Sequence, residues 1–277
     1  MKRILLAGLM MSASLLTEAQ LKTPAPSPAQ TLRQDFGLGN IEISYSRPGV
    51  RGRKVFGDLI PYGQVWRTGA NSATTINFTD DVIIGGKTIA PGKYGLLSIP
   101  GAKEWIFILS KQTNVTSPAD YKADQDVVRI NAAVTKNKTS TETFTLSLQD
   151  ITNTTCNLVL SWEKQTLTLP IKTEIEAKIM ASIDAAMKAE KPPYFNAAMY
   201  YLDNGKDLNQ ALSWFDKAIE SNPTAFWIQH RRAVCLAKLG RKAEALEQAE
   251  KAKQAAAEAK NDDYVKLNEK LIAELNK

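Results

Sequence analysis

One histidine, His230, and two cysteines, Cys156 and Cys235, stand in a chain of 277 residues. That scarcity removes several chemistries at once. A zinc centre draws on converging His and Cys ligands, and none cluster here. A Ser–His or Cys–His nucleophile pair would have to recruit the single imidazole, which reads as an ordinary helix-face residue. The two cysteines fall in segments of different character. A disulfide would therefore have to join the two, and two separate buried thiols is the simpler reading. Apolar runs long enough to cross a bilayer are also missing beyond the first 19 residues, so no span is expected in the mature chain. No metal, cofactor or catalytic residue is assigned.

The beginning of the chain has the layout of a secretory leader. Lys2 and Arg3 precede an apolar run over residues 4–16, and Thr17-Glu18-Ala19 offers a small residue on either side of Glu18 for cleavage before Gln20. No cysteine lies near that cut, so a lipid anchor is not expected. Residues 20–34, rich in proline at LKTPAPSPAQ, read as a tether between the cut and the fold. The product is expected to be periplasmic or secreted. The hydrophobic fraction of 44% and charged fraction of 23% are those of a globular protein.

Two halves follow with different periods. Over residues 35–172, runs such as IEISYS (41–46), TTINF (74–78), KYGLLSI (93–99), EWIFILS (104–110), ETFTLSL (142–148) and CNLVLSW (156–162) alternate apolar and polar positions. Turn residues separate most of them. Short strands without intervening helices predict an antiparallel β-sandwich or barrel, and the sandwich is the reading adopted. Its core draws on alternate positions such as Ile43, Tyr45, Ile106, Ile108, Phe144 and Leu146.

From residue 173 onward the period turns helical. Ile175, Ile179, Ile183 and Met187 recur every fourth residue, and Pro192-Pro193 stops that helix. Ala211 and Ala245 then stand 34 residues apart inside similar surroundings. That period points to a helical-hairpin solenoid. The stretch resembles the tetratricopeptide repeat: Tyr194, Ala198, Tyr201, Gly205, Ala211, Phe215, Ala218 and Pro223 in a first copy, Ala233, Leu236, Gly240, Ala245 and Ala252 in a second. Ala249 stands where an aromatic is usual. The fold class expected is thus α+β in two domains, a sandwich over 35–172 and a short tetratricopeptide-like solenoid over 173–277.

Residues 47–71, RPGVRGRKVFGDLIPYGQVWRTGAN, hold five cations (Arg47, Arg51, Arg53, Lys54, Arg67) against one acid, Asp58. The rest of the chain beyond the leader is close to neutral, so nucleic acid is a poor match. Pro48, Pro61 and frequent glycines make this an ordered loop rather than a helix. Together with Thr74, Gly92, Tyr94, Ile99-Pro100, Thr143-Phe144-Thr145 and Leu160-Ser161-Trp162-Glu163, it resembles the bacterial family catalogued as domain of unknown function 2911, common in Bacteroidetes. The resemblance implies export and a helical-repeat tail but no reaction. This chain departs from the family's usual Trp-Gly pair after Lys111, reading QTNVTSP instead, which leaves the 112–126 loop doubtful as a functional element.

The cationic loop is the best candidate for a ligand site. Arginine offers a planar fork that can hold a carboxylate or phosphate through two parallel bonds. Arg47, Arg53, Tyr62, Trp66, Arg67 and Asn71 are the expected ligand-binding residues, the aromatics stacking a flat ligand while the arginines hold its charge. The competing reading, placed ahead, has the arginines bonding carbonyls and acids of their own domain and Trp66 capping the core. Asp120, Asp124 and Asp126 suggest calcium only weakly, lacking the glycine and final glutamate of an EF-hand loop. No carboxylate pair for glycoside hydrolysis stands out. In the helical half, Phe195, Met199, Trp227, His230 and Val234 project to one concave face and are the expected partner-binding residues, unless they serve internal packing. The function expected is an exported, non-enzymatic binding or scaffolding protein. Its sandwich would contact an anionic envelope component or glycan, and its helices a protein or peptide. The alternative is an enzyme using Asp58 as base and Arg67 as oxyanion stabiliser.

Overall fold

In the computed structural model, residues 23–277 are described. The leader expected at residues 1–19 and its cut before Gln20 lie outside the described residues. Ten strands come first: β1 (Ala29–Phe36), β2 (Gly39–Ser46), β3 (Thr74–Phe78), β4 (Val82–Ile84), β5 (Lys87–Ile89), β6 (Gly92–Ile99), β7 (Glu104–Ser110), β8 (Asp126–Ala133), β9 (Thr135–Gln149) and β10 (Thr155–Lys172). They form two antiparallel sheets, ordered β1-β2-β3-β6-β7-β8 and β5-β4-β10-β9. Six helices follow: α1 (Glu176–Ala186), α2 (Tyr194–Asp203), α3 (Leu208–Ser221), α4 (Phe226–Lys238), α5 (Lys242–Glu258) and α6 (Asp262–Leu275). The chain divides into two compact units at Ile175/Glu176. No helix among the described residues is long and apolar enough to cross a membrane.

Alternation builds the sandwich core. Ile41, Ile43 and Tyr45 of β2, Ile76 and Phe78 of β3, and Trp105, Phe107 and Leu109 of β7 point inward from the six-stranded sheet. Phe144 and Leu146 of β9 meet them from the other sheet, with alternate residues of β10. Tyr45 carries a polar tip into this core, and its hydroxyl accepts from Leu146 N at 3.0 Å while donating to Gln30 Oε1 at 2.7 Å. Ile106 and Ile108 do not join that core. They face outward with Leu97 into a second, smaller cluster closed by Ala73 and Val115.

Two departures from the sequence pattern have clear causes. The residues read as a tether supply β1 from Ala29 onward, because Gln30, Leu32 and Gln34 pair with Tyr45, Ile43 and Ile41 of β2. β10 is one strand of 18 residues, where the alternation in sequence breaks after the run 156–162. Its inward-facing positions in the main core are even up to Trp162 and odd from Leu167, with Val159 buried on the opposite side. The parity changes around Glu163, which stands at φ +51° and is flanked on both sides by shifts in the register with β9.

The segment 111–125 lies on the outer face of the larger sheet, carrying Val115 into the second cluster. Gly95 in β6 permits that approach: a Cβ there would stand 2.0 Å from the backbone oxygen of Gln112. A backbone carbonyl cannot yield as a side-chain tip can. Gly95→Ala is therefore expected to destabilise the protein by about 2 kcal/mol or more, read from the urea midpoint. A loss under about 0.5 kcal/mol, the range of an inconsequential surface change, would show that the loop lifts freely.

Candidate functional site

Loop 47–73 leaves β2 and returns at β3, and backbone bonds stitch it to both sheets. Val50 N donates to Glu142 O and Phe144 N to Pro48 O on β9, while Trp66 and Ser98 of β6 exchange bonds of 2.7 and 2.9 Å. Arg51, Thr68 and Asn71 all sit at positive φ. Thr68 is the costly one, since a β-branched residue at φ +54° carries strain of about 1–3 kcal/mol. It is held there by its buried hydroxyl, which bonds Ser98 Oγ at 2.9 Å, and by Thr74 Oγ1, which donates to its carbonyl.

Trp66 is buried. Its ring stacks on Trp162 at 5.8 Å and meets Trp105 and Phe144 edge-on at 5.9 and 5.4 Å. Phe56 joins from the same loop, 4.9 Å from Trp105. The Trp66 Nε1 donates to Gly69 O at 3.1 Å. This ring therefore belongs to the sandwich core and presents only a margin outward.

The six residues expected to bind ligand divide between different surroundings. Arg53, Trp66 and Arg67 line one cavity of about 360 Å³. Trp162, Pro48, Leu59, Ile60, Pro61, Val65 and Pro118 supply much of its apolar wall, and Ser27 and Gln64 add polar groups. Arg47 lies instead in a separate hollow beside Gln30, Arg33 and Gln34. There it donates to Phe144 O at 3.1 Å and Thr145 Oγ1 at 2.8 Å. Tyr62 is exposed and covers Gly57. Asn71 donates to Ser27 O and Ser46 Oγ at 3.3 and 3.2 Å, tying down the chain just before β1.

The guanidinium bonding is informative. Arg53 donates through Nε to Val50 O at 3.1 Å and through Nη2 to Gly49 O at 2.8 Å. Arg67 donates through Nη1 to Thr116 O at 2.6 Å, and its Nε is buried with no hydrogen-bond partner. All the acceptors of Arg47, Arg53 and Arg67 are neutral carbonyls or a hydroxyl. Their charge is thus left uncompensated by any contacting carboxylate among the described residues.

Sequence reasoning missed two contributors. Trp162 lies in a strand far along the chain, and only its place in the family-like motif Leu160-Ser161-Trp162-Glu163 marked it. The 112–126 loop, doubtful by its departure from the family pattern, provides both Pro118 and the Thr116 carbonyl. Asp120 organises that loop by accepting from Thr116 N, Thr116 Oγ1 and Ser117 N. The Thr116 hydroxyl, then the Ser117 amide, hold its carboxyl below the usual range. Asp126 turns instead to Arg129 and Tyr121. Among the described residues no group of three or more His, Cys, Asp or Glu is placed to hold a metal. Asp58 is exposed and does not line the cavity.

In the helical unit, the alanines at the repeat positions, Ala198, Ala211, Ala218, Ala233, Ala245 and Ala252, are all buried. Small side chains there let neighbouring helices approach. Asp207 and Asn261 cap α3 and α6 by accepting from backbone amides. Both cysteines are free and buried, one in each unit. Of the expected partner-binding residues, Trp227 is exposed, and Phe195, Met199 and Val234 are half-buried against the helical core. His230 is buried. Its Nδ1 lies 2.9 Å from Asn268 Oδ1 on α6, a fully buried side chain whose own amide donates to Tyr264 O. The terminal helix thus covers a residue that the repeat pattern assigned to an open face.

The architecture is that of a two-sheet antiparallel β domain with an arginine-lined cavity, followed by a six-helix unit. Residues 27–171 match the family described as Protein of unknown function (DUF2911), and the chain belongs to that family. No curated protein and no solved structure matches it.

Two outcomes follow from these placements. Trp66→Ala is expected to cost about 3–5 kcal/mol of stability, seen as a lower denaturant midpoint, because the ring is core; a change below about 1 kcal/mol would mean it is not. Burial holds the His230 imidazole below its ordinary value near 6.5. Between the folded and unfolded values the unfolded chain binds more protons, so the contribution of His230 is present above about pH 6.5 and declines as pH falls through the folded value. Thermal unfolding followed at 222 nm should show that decline between pH 7 and 5, and His230→Gln should flatten it.

Proposed function

We propose that this is an exported, non-enzymatic binding or scaffolding protein whose β domain holds the anionic group of an envelope component or glycan in the cavity beside Arg67. One observation carries the reading: the Arg67 guanidinium borders a cavity, bonds only a neutral carbonyl, and keeps a buried Nε–H without an acceptor. A buried donor left unpaired costs about 1–3 kcal/mol. An anion admitted to the cavity offsets that cost, since Arg67 is tethered at Nη1 alone and a small pivot turns Nε towards the space. Arg53, braced by two carbonyls, adds a second fixed cation at the same cavity. Among the described residues no Asp, Glu, His, Cys or Lys lines it, which favours binding over proton transfer. Asp58 is exposed and is not among the lining residues, which weighs against that residue acting as base beside Arg67.

The helical unit is read as a tetratricopeptide-like module that docks a protein or peptide. Its buried alanines at the repeat positions and the exposed ring of Trp227 support this. A periplasmic or secreted location follows from the leader pattern.

The test is a calorimetric and thermal-shift screen of small anions, including sugar acids, sugar phosphates and simple carboxylates, at low and high salt. At least one should bind without turnover, more weakly as ionic strength rises. Arg67→Ala should remove that binding and Asp58→Ala should leave it unchanged. Turnover lost in Asp58→Ala would instead establish the enzyme.

A further inference from the structure

We infer that the ligand of the Arg67 cavity is a monocarboxylate on a flat or branched apolar body, and neither a sugar nor a phosphate. This rests on the anion-site reading above, keeps its anion and sets aside its glycan. The walls decide the class. Among the described residues four polar side chains, Ser27, Gln64, Arg53 and Arg67, line the cavity, and the other lining residues are apolar or glycine. A sugar would bring many hydroxyls into a space with few side-chain partners, and each hydroxyl left unpaired costs binding. A phosphate dianion would bring a second charge and three acceptor oxygens against one half-buried and one exposed guanidinium. Desolvating it among proline, leucine and tryptophan is unfavourable without more donors.

A carboxylate fits what is free. Arg67 has Nη1 engaged and Nε unpartnered, so that, turned towards the cavity, its Nε and Nη2 edge offers the two parallel bonds that a planar carboxylate accepts. One charge meets one fork. The apolar body then has Leu59, Ile60, Val65 and the margins of Trp66 and Trp162 to cover it. The volume of about 360 Å³ lies at the small end for ligand cavities, which suits a body about the size of a single ring.

The experiment uses the full mature chain and four probes. Phenylacetate is the expected class, benzyl alcohol lacks the charge, benzylphosphonate changes the anion, and glucuronate changes the body. Binding is read by calorimetry and by tryptophan emission, since two indoles border the cavity. Phenylacetate should bind saturably, at least about tenfold tighter than the other three, and Arg67→Ala should weaken it by about tenfold or more, the loss of a charge-assisted bond. Arg67→Lys, which keeps the charge without the fork, should recover only part of that loss. Should Arg67→Ala fail to fold, Ala70→Leu decides, because it fills the cavity from its half-buried rim and should abolish binding. Glucuronate or benzylphosphonate binding through Arg67 as tightly as phenylacetate overturns the carboxylate class and leaves the anion site standing. Binding of phenylacetate that ignores both Arg67→Ala and Ala70→Leu, or no binding by any of the three anions, overturns both readings.

Discussion

The stack of Trp66 on Trp162, with Trp105 and Phe144 edge-on, is the contact on which the loop and the cavity of the β domain depend. Trp105 belongs to one sheet, Phe144 and Trp162 to the other, and Trp66 to the loop between β2 and β3. One loop residue thus closes the end of the core and fixes the loop to both sheets. Aromatic pairs of this geometry add about 0.5–1.5 kcal/mol each beyond the area they bury. That is enough to hold Thr68 in a conformation its side chain disfavours and to hold Arg53 and Arg67 in place beside it.

A loop fixed in this way can keep charge without neutralising it. Arg47, Arg53 and Arg67 direct their bonds at carbonyls and a hydroxyl, which orient a guanidinium while leaving its charge in place. Ion pairs with acids of the same domain would have braced the loop equally well and left an electrically quiet surface. The competing structural account of these arginines is half realised. They do brace backbone, as that account expects, but they do so without acids, and Arg67 has a donor left over.

The legible parts of the fold were those with a strong period. Alternation in β2 and β3 and the buried alanines of α3 to α5 are properties of short windows, where one face is apolar because one face is buried. The strand β1 was obscured because its proline-rich approach resembles a linker and its partner is β2, known only once the chain has paired. The continuity of β10 was obscured because the parity of its core positions changes around Glu163, which looks in sequence like a break. Ile106 and Ile108 alternate as core residues should, yet face a second cluster made by the 111–125 segment. No local pattern states which face of a doubly covered strand is the main core.

By itself the sequence determined the two-part organisation, the all-antiparallel character of the first part, the helical character of the second, and the concentration of arginine in one glycine- and proline-rich loop. These depend on composition and on periods of two and 3.6, both local. Only the tertiary structure decided which arginines share a cavity. Arg53 and Arg67 stand fourteen residues apart in sequence, while Trp162 and Pro118 complete the wall from strands and loops far along the chain. It likewise decided that Trp66 is core and that His230 lies beneath α6. Contacts between distant segments are set by sheet order and helix packing, and neither is written in any window of the chain.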